Sequence, residues 1–135
     1  MWENQNVVLI VDDDSALVQI LEEVVDGLGI KCVCAQTGSQ AVIKSEIYHP
    51  DLVLMDVKMP DMDGIEAARR IHRDAPDVPI VIMSGVPNAV TEANRANLGI
   101  FAVVDKPIPI KMFERLIGKI CLNTSASDSP PQADD

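Results

Sequence analysis

Asp12, Asp13 and Asp14 directly follow a short apolar run at 6–11 (NVVLIV), and Asp56 closes another at 51–56 (DLVLMD). Ser84 closes a third at 79–84 (PIVIMS), and Lys106 stands just beyond a fourth at 101–104. Brought together, the carboxylates of Asp12, Asp13 and Asp56 repel one another, and their proton affinity rises unless a cation joins them. One divalent ion and the Lys106 ammonium would balance the three negative charges. Mg2+ suits such a place, because it takes one or two carboxylates, keeps several waters and completes its shell with a phosphate oxygen. Lys106 and the Ser84 hydroxyl would then hold the remaining phosphoryl oxygens. A carboxylate in this setting can attack phosphorus and form an acyl phosphate. Catalysis would rest on positioning and on charge neutralisation. Charge counting alone leaves open which carboxylate reacts.

These residues meet only if the elements carrying them share one sheet. Near-continuous apolar runs at 6–11, 31–35, 51–56, 79–84 and 101–104 read as buried strands, alternating with segments of helical period. Leu17, Ile20, Leu21, Val24, Val25 and Leu28 recur at helical spacing, and Gly29 ends that helix. Thr37-Gly38-Ser39-Gln40 is a capping box opening a helix to about His49, stopped before Pro50. A helix at 64–74 carries an Ile65/Ala68/Ile71 stripe. The helix predicted at 88–98, rich in Asn and Ala and closed by Gly99, is expected to be the most mobile. The last, at 110–122, places Phe113, Leu116, Ile117 and Ile120 on one face. The pattern predicts an α/β fold: a (βα)5 doubly wound parallel five-stranded sheet. In such sheets ligands bind beyond the carboxyl ends of the strands. Four of the five predicted strands deliver a reactive polar residue to that edge, and the second offers only Gln36.

Composition narrows the rest. A chain of 135 residues is one domain by length, and its 47% hydrophobic and 24% charged content is globular. Aromatics are only 3%, so the core must be aliphatic and stacking platforms for bases or sugars are not expected. The net charge of −10 argues against direct binding of nucleic acid or an anionic membrane surface. No apolar run approaches a transmembrane helix, the first residues are polar, and three cysteines fit a reducing cytoplasm. Residues 1–122 read as the domain. Residues 123–135 (NTSASDSPPQADD) read as a disordered tail or truncated linker.

VLIVDDDSAL, LVLMDVKMPDMDG, VIMSG and VVDKP, in that order and spacing, resemble the receiver domain of two-component response regulators. The likeness covers about 5–122, and the stretch from Asp56 to Gly64 is its most specific part. It implies the flavodoxin-like strand order 2-1-3-4-5. It also implies that Asp56 is the phosphoacceptor. Asp13 would bind Mg2+ directly, Asp12 through water, and the Lys58 backbone carbonyl would be a further ligand beside Asp56. Ser84 would be the switch hydroxyl and Lys106 the phosphoryl contact, with a cis bond to Pro107. Gly85 would leave the phosphoryl group room to enter. The implied partners are a sensor histidine kinase or a histidine phosphotransfer domain upstream, and a downstream protein or missing output domain. A monomer or weak homodimer is expected.

The sequence departs from the family at Val103, where Tyr or Phe is usual three residues before the Lys. The usual aromatic readout is therefore not expected, and Phe101, two residues earlier on the same strand side, is the alternative aromatic. Plainer roles apply elsewhere. Asp14 is expected to cap the first helix. Asp61 and Asp63 are expected to serve the loop and the start of the third helix, and Asp105 to be a solvated neighbour. Cys32 and Cys34 share a strand face and read as buried small hydrophobes, lacking further ligands for a metal. His49 and His72 read as surface positions, and Met55, Met59, Met62 and Met83 as packing. Lys58 and Val86, each two residues beyond a site residue, are expected to tune phosphate lifetime.

Two other functions compete. An aspartate-nucleophile phosphohydrolase would need D-x-D-x-T or D-x-D-x-V after the first strand, and Ala16 breaks that pattern. A flavodoxin-like cofactor binder needs a hydroxyl- and Gly-rich anion loop there, where three aspartates would repel phosphate. The reading favoured is a phosphorylation-controlled switch that shifts affinity for a partner.

Overall fold

The computed structural model describes residues 6–59, 61–85 and 97–122. Runs of Val, Ile, Leu and Met form five strands: β1 (Val7–Val11), β2 (Lys31–Ala35), β3 (Leu52–Asp56), β4 (Ile80–Ser84) and β5 (Ile100–Asp105). The described helices are α1 (Ser15–Gly27), α2 (Gly38–Tyr48), α3 (Gly64–Asp74) and α4 (Ile110–Ile117). All strand pairs are parallel, as the apolar runs predict, and their order is β2-β1-β3-β4-β5, as the family resemblance implies. Every residue of β1, β3 and β4 is buried, which is why these runs carry no alternation. The edge strand β5 alternates instead and exposes Phe101 and Val103 on one face.

The sheet separates two aliphatic cores. Leu9, Val11, Met55 and Ile82 pack with α2 and α3, while Ile10, Leu54, Val81 and Met83 pack with α1 and α4. Phe113, fully buried, anchors α4 beneath the second face.

The helix starts follow from local chemistry. Asp14 accepts hydrogen bonds from the Ala16 and Leu17 amides, so it caps α1. Thr37 Oγ1 accepts from the Gln40 amide at the start of α2. The reciprocal half of the capping box differs from expectation, because Gln40 Oε1 reaches the Gln36 amide instead of that of Thr37. Asp63 accepts from Ile65 and starts α3. Asp61 does not serve α3. It crosses to α2 and accepts from the Gly38 and Ser39 amides, at 3.0 and 3.3 Å.

Other expectations shift at the element ends. Gly29 (φ +76°) and Gly99 (φ +66°) adopt the left-handed conformation at the predicted stops. Helix α2 ends at Tyr48 with His49 itself left-handed at φ 50°. The last helix is α-helical only to Ile117, and Gly118–Leu122 continues as a wider π-helical turn. Cys32 and Cys34 are half-buried, because β2 is an edge strand. His72 is also half-buried, its ring lying against Gly99. Of the predicted helix at 88–98, only Asn97 and Leu98 fall within the described residues, and Val86 and the tail at 123–135 fall outside them.

Candidate functional site

The carboxyl ends of β1, β3, β4 and β5 converge, and backbone bonds just past the strands fix them there. The Asp12 amide donates to Ala35, Val57 to Met83, and Lys106 to Ser84, at 3.1–3.2 Å. The start of α3 closes under the end of β3, where the Gly64 amide donates to the Val57 carbonyl at 2.7 Å. A Cβ at Gly64 would run into the Asp56 carbonyl oxygen, so only glycine lets the helix approach so closely.

Within this frame the predicted residues meet. Asp12 is wholly buried, Asp56 and Ser84 nearly so, and Asp13 is exposed. One carboxylate oxygen from each of Asp12, Asp13 and Asp56 lies within 4.8 Å of the others. The Lys106 ammonium donates to Asp56 Oδ2 at 3.0 Å and to Asp12 Oδ1 at 3.3 Å. Asp12 Oδ1 also accepts from the Asp14 amide at 2.9 Å. Asp12 Oδ2, although 3.0 Å from the ammonium, makes no directed hydrogen bond.

The electrostatics follow from this packing. Burial pushes the Asp12 carboxyl above its ordinary value, and the Asp14 amide and Lys106 only partly offset it. Burial alone would lower the Lys106 ammonium, but hydrogen bonds to Asp56 and Asp12 hold it above the usual lysine value. The site therefore keeps a full positive charge beside an incompletely compensated acidic cluster.

In front of Asp56 opens a cavity of about 310 Å³, lined by Asp56, Val57, Lys58, Ser84, Gly85 and Lys106. The protein leaves open space where a Gly85 side chain would be. The donor set fits a hard divalent cation. Three carboxylates close together, one with a buried oxygen lacking a directed hydrogen bond, are oxygen ligands of the kind Mg2+ selects. Asp12, Asp13 and Asp56 would hold it, and it would supply charge neutralisation for a phosphoryl group in the cavity.

The structure thus brings Asp12, Asp13, Asp56, Ser84 and Lys106 to one edge and sets Lys58 at the cavity wall. The Lys106–Pro107 bond is cis. Asp105 is exposed beside the site. Sequence reading alone did not assign Val57 to the wall or Asp61 to α2. The loop between Asp56 and Gly64 signalled both only as part of a motif.

Residues 8–117 match the family profile of the response regulator receiver domain. The transcriptional regulatory protein ZraR of Klebsiella oxytoca is 31% identical over 123 residues, 91% of this chain and 28% of that protein. The autoinducer 1 sensor kinase/phosphatase LuxN of Vibrio campbellii is 32% identical over 127 residues, 94% of this chain and 15% of that protein. The chain thus spans well under half the length of both relatives. A crystal structure of a CheY-like receiver domain protein from Methanospirillum hungatei superposes with a TM-score of 0.78 at 27% identity, covering 85% of this chain and 93% of the other.

Proposed function

The chain belongs to the response regulator receiver family, and from that premise we propose that its acidic pocket takes a phosphoryl group on Asp56. The observation that carries the assignment is the Lys106 ammonium bridging Asp56 and the buried Asp12, with Lys106 and Asp56 both lining the cavity. A nucleophile needs an oxygen facing open space and a cation beside the incoming charge, and Asp56 lines the cavity and accepts from Lys106.

The family's function is that of the phosphoryl-accepting receiver in two-component signalling. In the reading proposed, an Asp56 oxygen attacks the phosphorus of a phosphohistidine as the P–N bond breaks. The phosphoryl group passes from a sensor histidine kinase or histidine phosphotransfer domain. Lys106 and the Ser84 hydroxyl take two of its oxygens. Asp13, Asp56 and the Lys58 carbonyl would hold Mg2+ directly and Asp12 through water, and Mg2+ would supply the charge that a phosphoryl group needs in an acidic pocket. Hydrolysis of the acyl phosphate returns the Asp56 carboxylate and inorganic phosphate. The protein is regulatory, its chemistry limited to its own phosphorylation and dephosphorylation. The product shifts affinity for a downstream protein or output domain in the cytoplasm. Among the described residues no helix is long and apolar enough to cross a membrane.

Intact-mass measurement after incubation with Mg2+ and acetyl phosphate tests the assignment. The expected result is one added phosphoryl group on the wild type and none on Asp56→Asn. Persistent labelling of Asp56→Asn would move the acceptor elsewhere. Absence of labelling, with no binding of beryllofluoride either, would make the pocket inert and the protein a phosphorylation-independent binding module.

A further inference from the structure

We propose that Cys32 and Cys34 form a second, soft-metal site on the edge strand β2, which chelates one thiophilic cation of the zinc type through both sulfurs. The two side chains project from the same side of the strand at positions i and i+2, and their Sγ atoms lie 3.9 Å apart. Two zinc–sulfur bonds of ~2.3 Å spanning that gap subtend about 115°, close to the tetrahedral angle such ions prefer. Both residues are partly exposed on the edge strand. The remaining coordination positions are filled by water or an exogenous thiol.

The surroundings favour a cation over a closed disulfide. In an extended strand, residues i and i+2 have Cα atoms ~6.6 Å apart, at the long end of the range that a disulfide accepts. Chelation needs no such closure. The hydrogen bond shared with Cys34 and burial push the Cys32 thiol well up, and the negative charges of Glu22 and Asp26 on α1 add to this while attracting a dication. The hydrogen bond that Cys34 shares with Cys32, and more weakly the Lys44 ammonium that donates to its backbone carbonyl, hold the Cys34 thiol below its ordinary value. On binding, each S–H bond breaks, its proton passes to water, and the sulfur lone pair enters a bond to the metal.

The site is separate from the acidic pocket in position and in chemistry. Hard Mg2+ selects carboxylates, whereas thiolates select soft ions. The sequence argued against a metal here for want of further ligands. The structure adds that two sulfurs already stand at chelating distance.

Cadmium titration of the full chain, with Mg2+ in excess, tests this through the ultraviolet thiolate-to-cadmium charge-transfer band. One Cd2+ per chain should give the band in the wild type and in Cys121→Ser, whose thiol is buried in the core under α1 and α4. Cys32→Ser and Cys34→Ser should each weaken binding roughly 100-fold, because one bond no longer holds the metal in reach of the other. In the wild type, Cd2+ should also protect Cys32 and Cys34 together from iodoacetamide, a readout independent of variant folding. Absence of the band, its survival in both serine variants, or unprotected alkylation would overturn the proposal. So would one Cd2+ per two chains in a dimer, since the chelate would then belong to two copies.

Discussion

Asp12 and Lys106 hold each other in charge states that neither environment favours alone. Burial raises the Asp12 carboxyl, and the ammonium 3.0 Å away is the charge that opposes this. Lys106→Ala should leave three clustered carboxylates without their neighbouring ammonium. Breaking a buried pair costs about 3–5 kcal/mol, but this pocket opens to solvent, so we expect roughly 1–3 kcal/mol in urea unfolding. Saturating Mg2+ should recover much of that loss, because it restores positive charge at the same carboxylates. Equal losses with and without Mg2+ would show that Lys106 acts through packing alone. Two glycines at the same site should behave oppositely. Gly64→Ala drives a methyl into the Asp56 carbonyl, and overpacking of this kind costs about 1–3 kcal/mol. Gly85→Ala meets only open space, so its stability should change by less than about 0.5 kcal/mol. Its phosphorylation by acetyl phosphate should nevertheless slow, since the methyl enters the cavity through which the donor arrives.

At the scale of elements, the loop after β3 ties two helices to the site strand. Asp63 starts α3, while Asp61 crosses to cap α2. The Ser39 side chain and the Gly38 and Ser39 amides hold the Asp61 carboxyl below its ordinary value. A depressed folded value means stability that is fully present above the unfolded pKa of about 4 and lost as pH falls through the folded value. Asp61→Asn should therefore melt lower than the wild type near neutrality, and the gap should close in acid. Thermal melts from pH 7 to pH 2 check it, and a gap that widens in acid would refute the cap. The sequence could place Asp61 near a helix start but not choose the helix, because its partner lies 23 positions away in the chain. The convergence of Asp12, Asp56, Ser84 and Lys106 was legible because buried parallel strands write continuous apolar runs, whereas the strand order came only with the family resemblance. The π-helical turn at Gly118–Leu122 was not legible, since Ile117, Ile120 and Cys121 suit either helix period. Nor was the half-exposure of Cys32 and Cys34, because a run such as KCVCA looks alike at a sheet's centre and at its edge. The Val103 departure is visible in both: it lies exposed on β5 beside Phe101, so the edge strand presents an aliphatic face with one aromatic.

For the whole molecule, the rigid sheet and the strained charge at its edge are two sides of one arrangement. Two aliphatic cores fix β1, β3 and β4 on both faces, so the strand ends cannot drift apart to relieve repulsion among Asp12, Asp13 and Asp56. A chain of net charge −10 gains nothing from its surroundings to offset that cluster. The fold itself should then report cation binding. A ligand at 100 times its dissociation constant stabilises the folded state by about 2.7 kcal/mol. For a domain of this size that is a rise of roughly 10 °C in Tm. Mg2+ should produce it at constant ionic strength, whereas K+ should not. Asp13→Asn removes an exposed carboxylate without opening a core, so it should raise Tm in the absence of Mg2+ and blunt the response to it. If Asp13→Asn instead lowered Tm in metal-free buffer, the carboxylates would not be in repulsive contact. The argument for a cation between them would then fall with it, although the sheet that gathers them would stand.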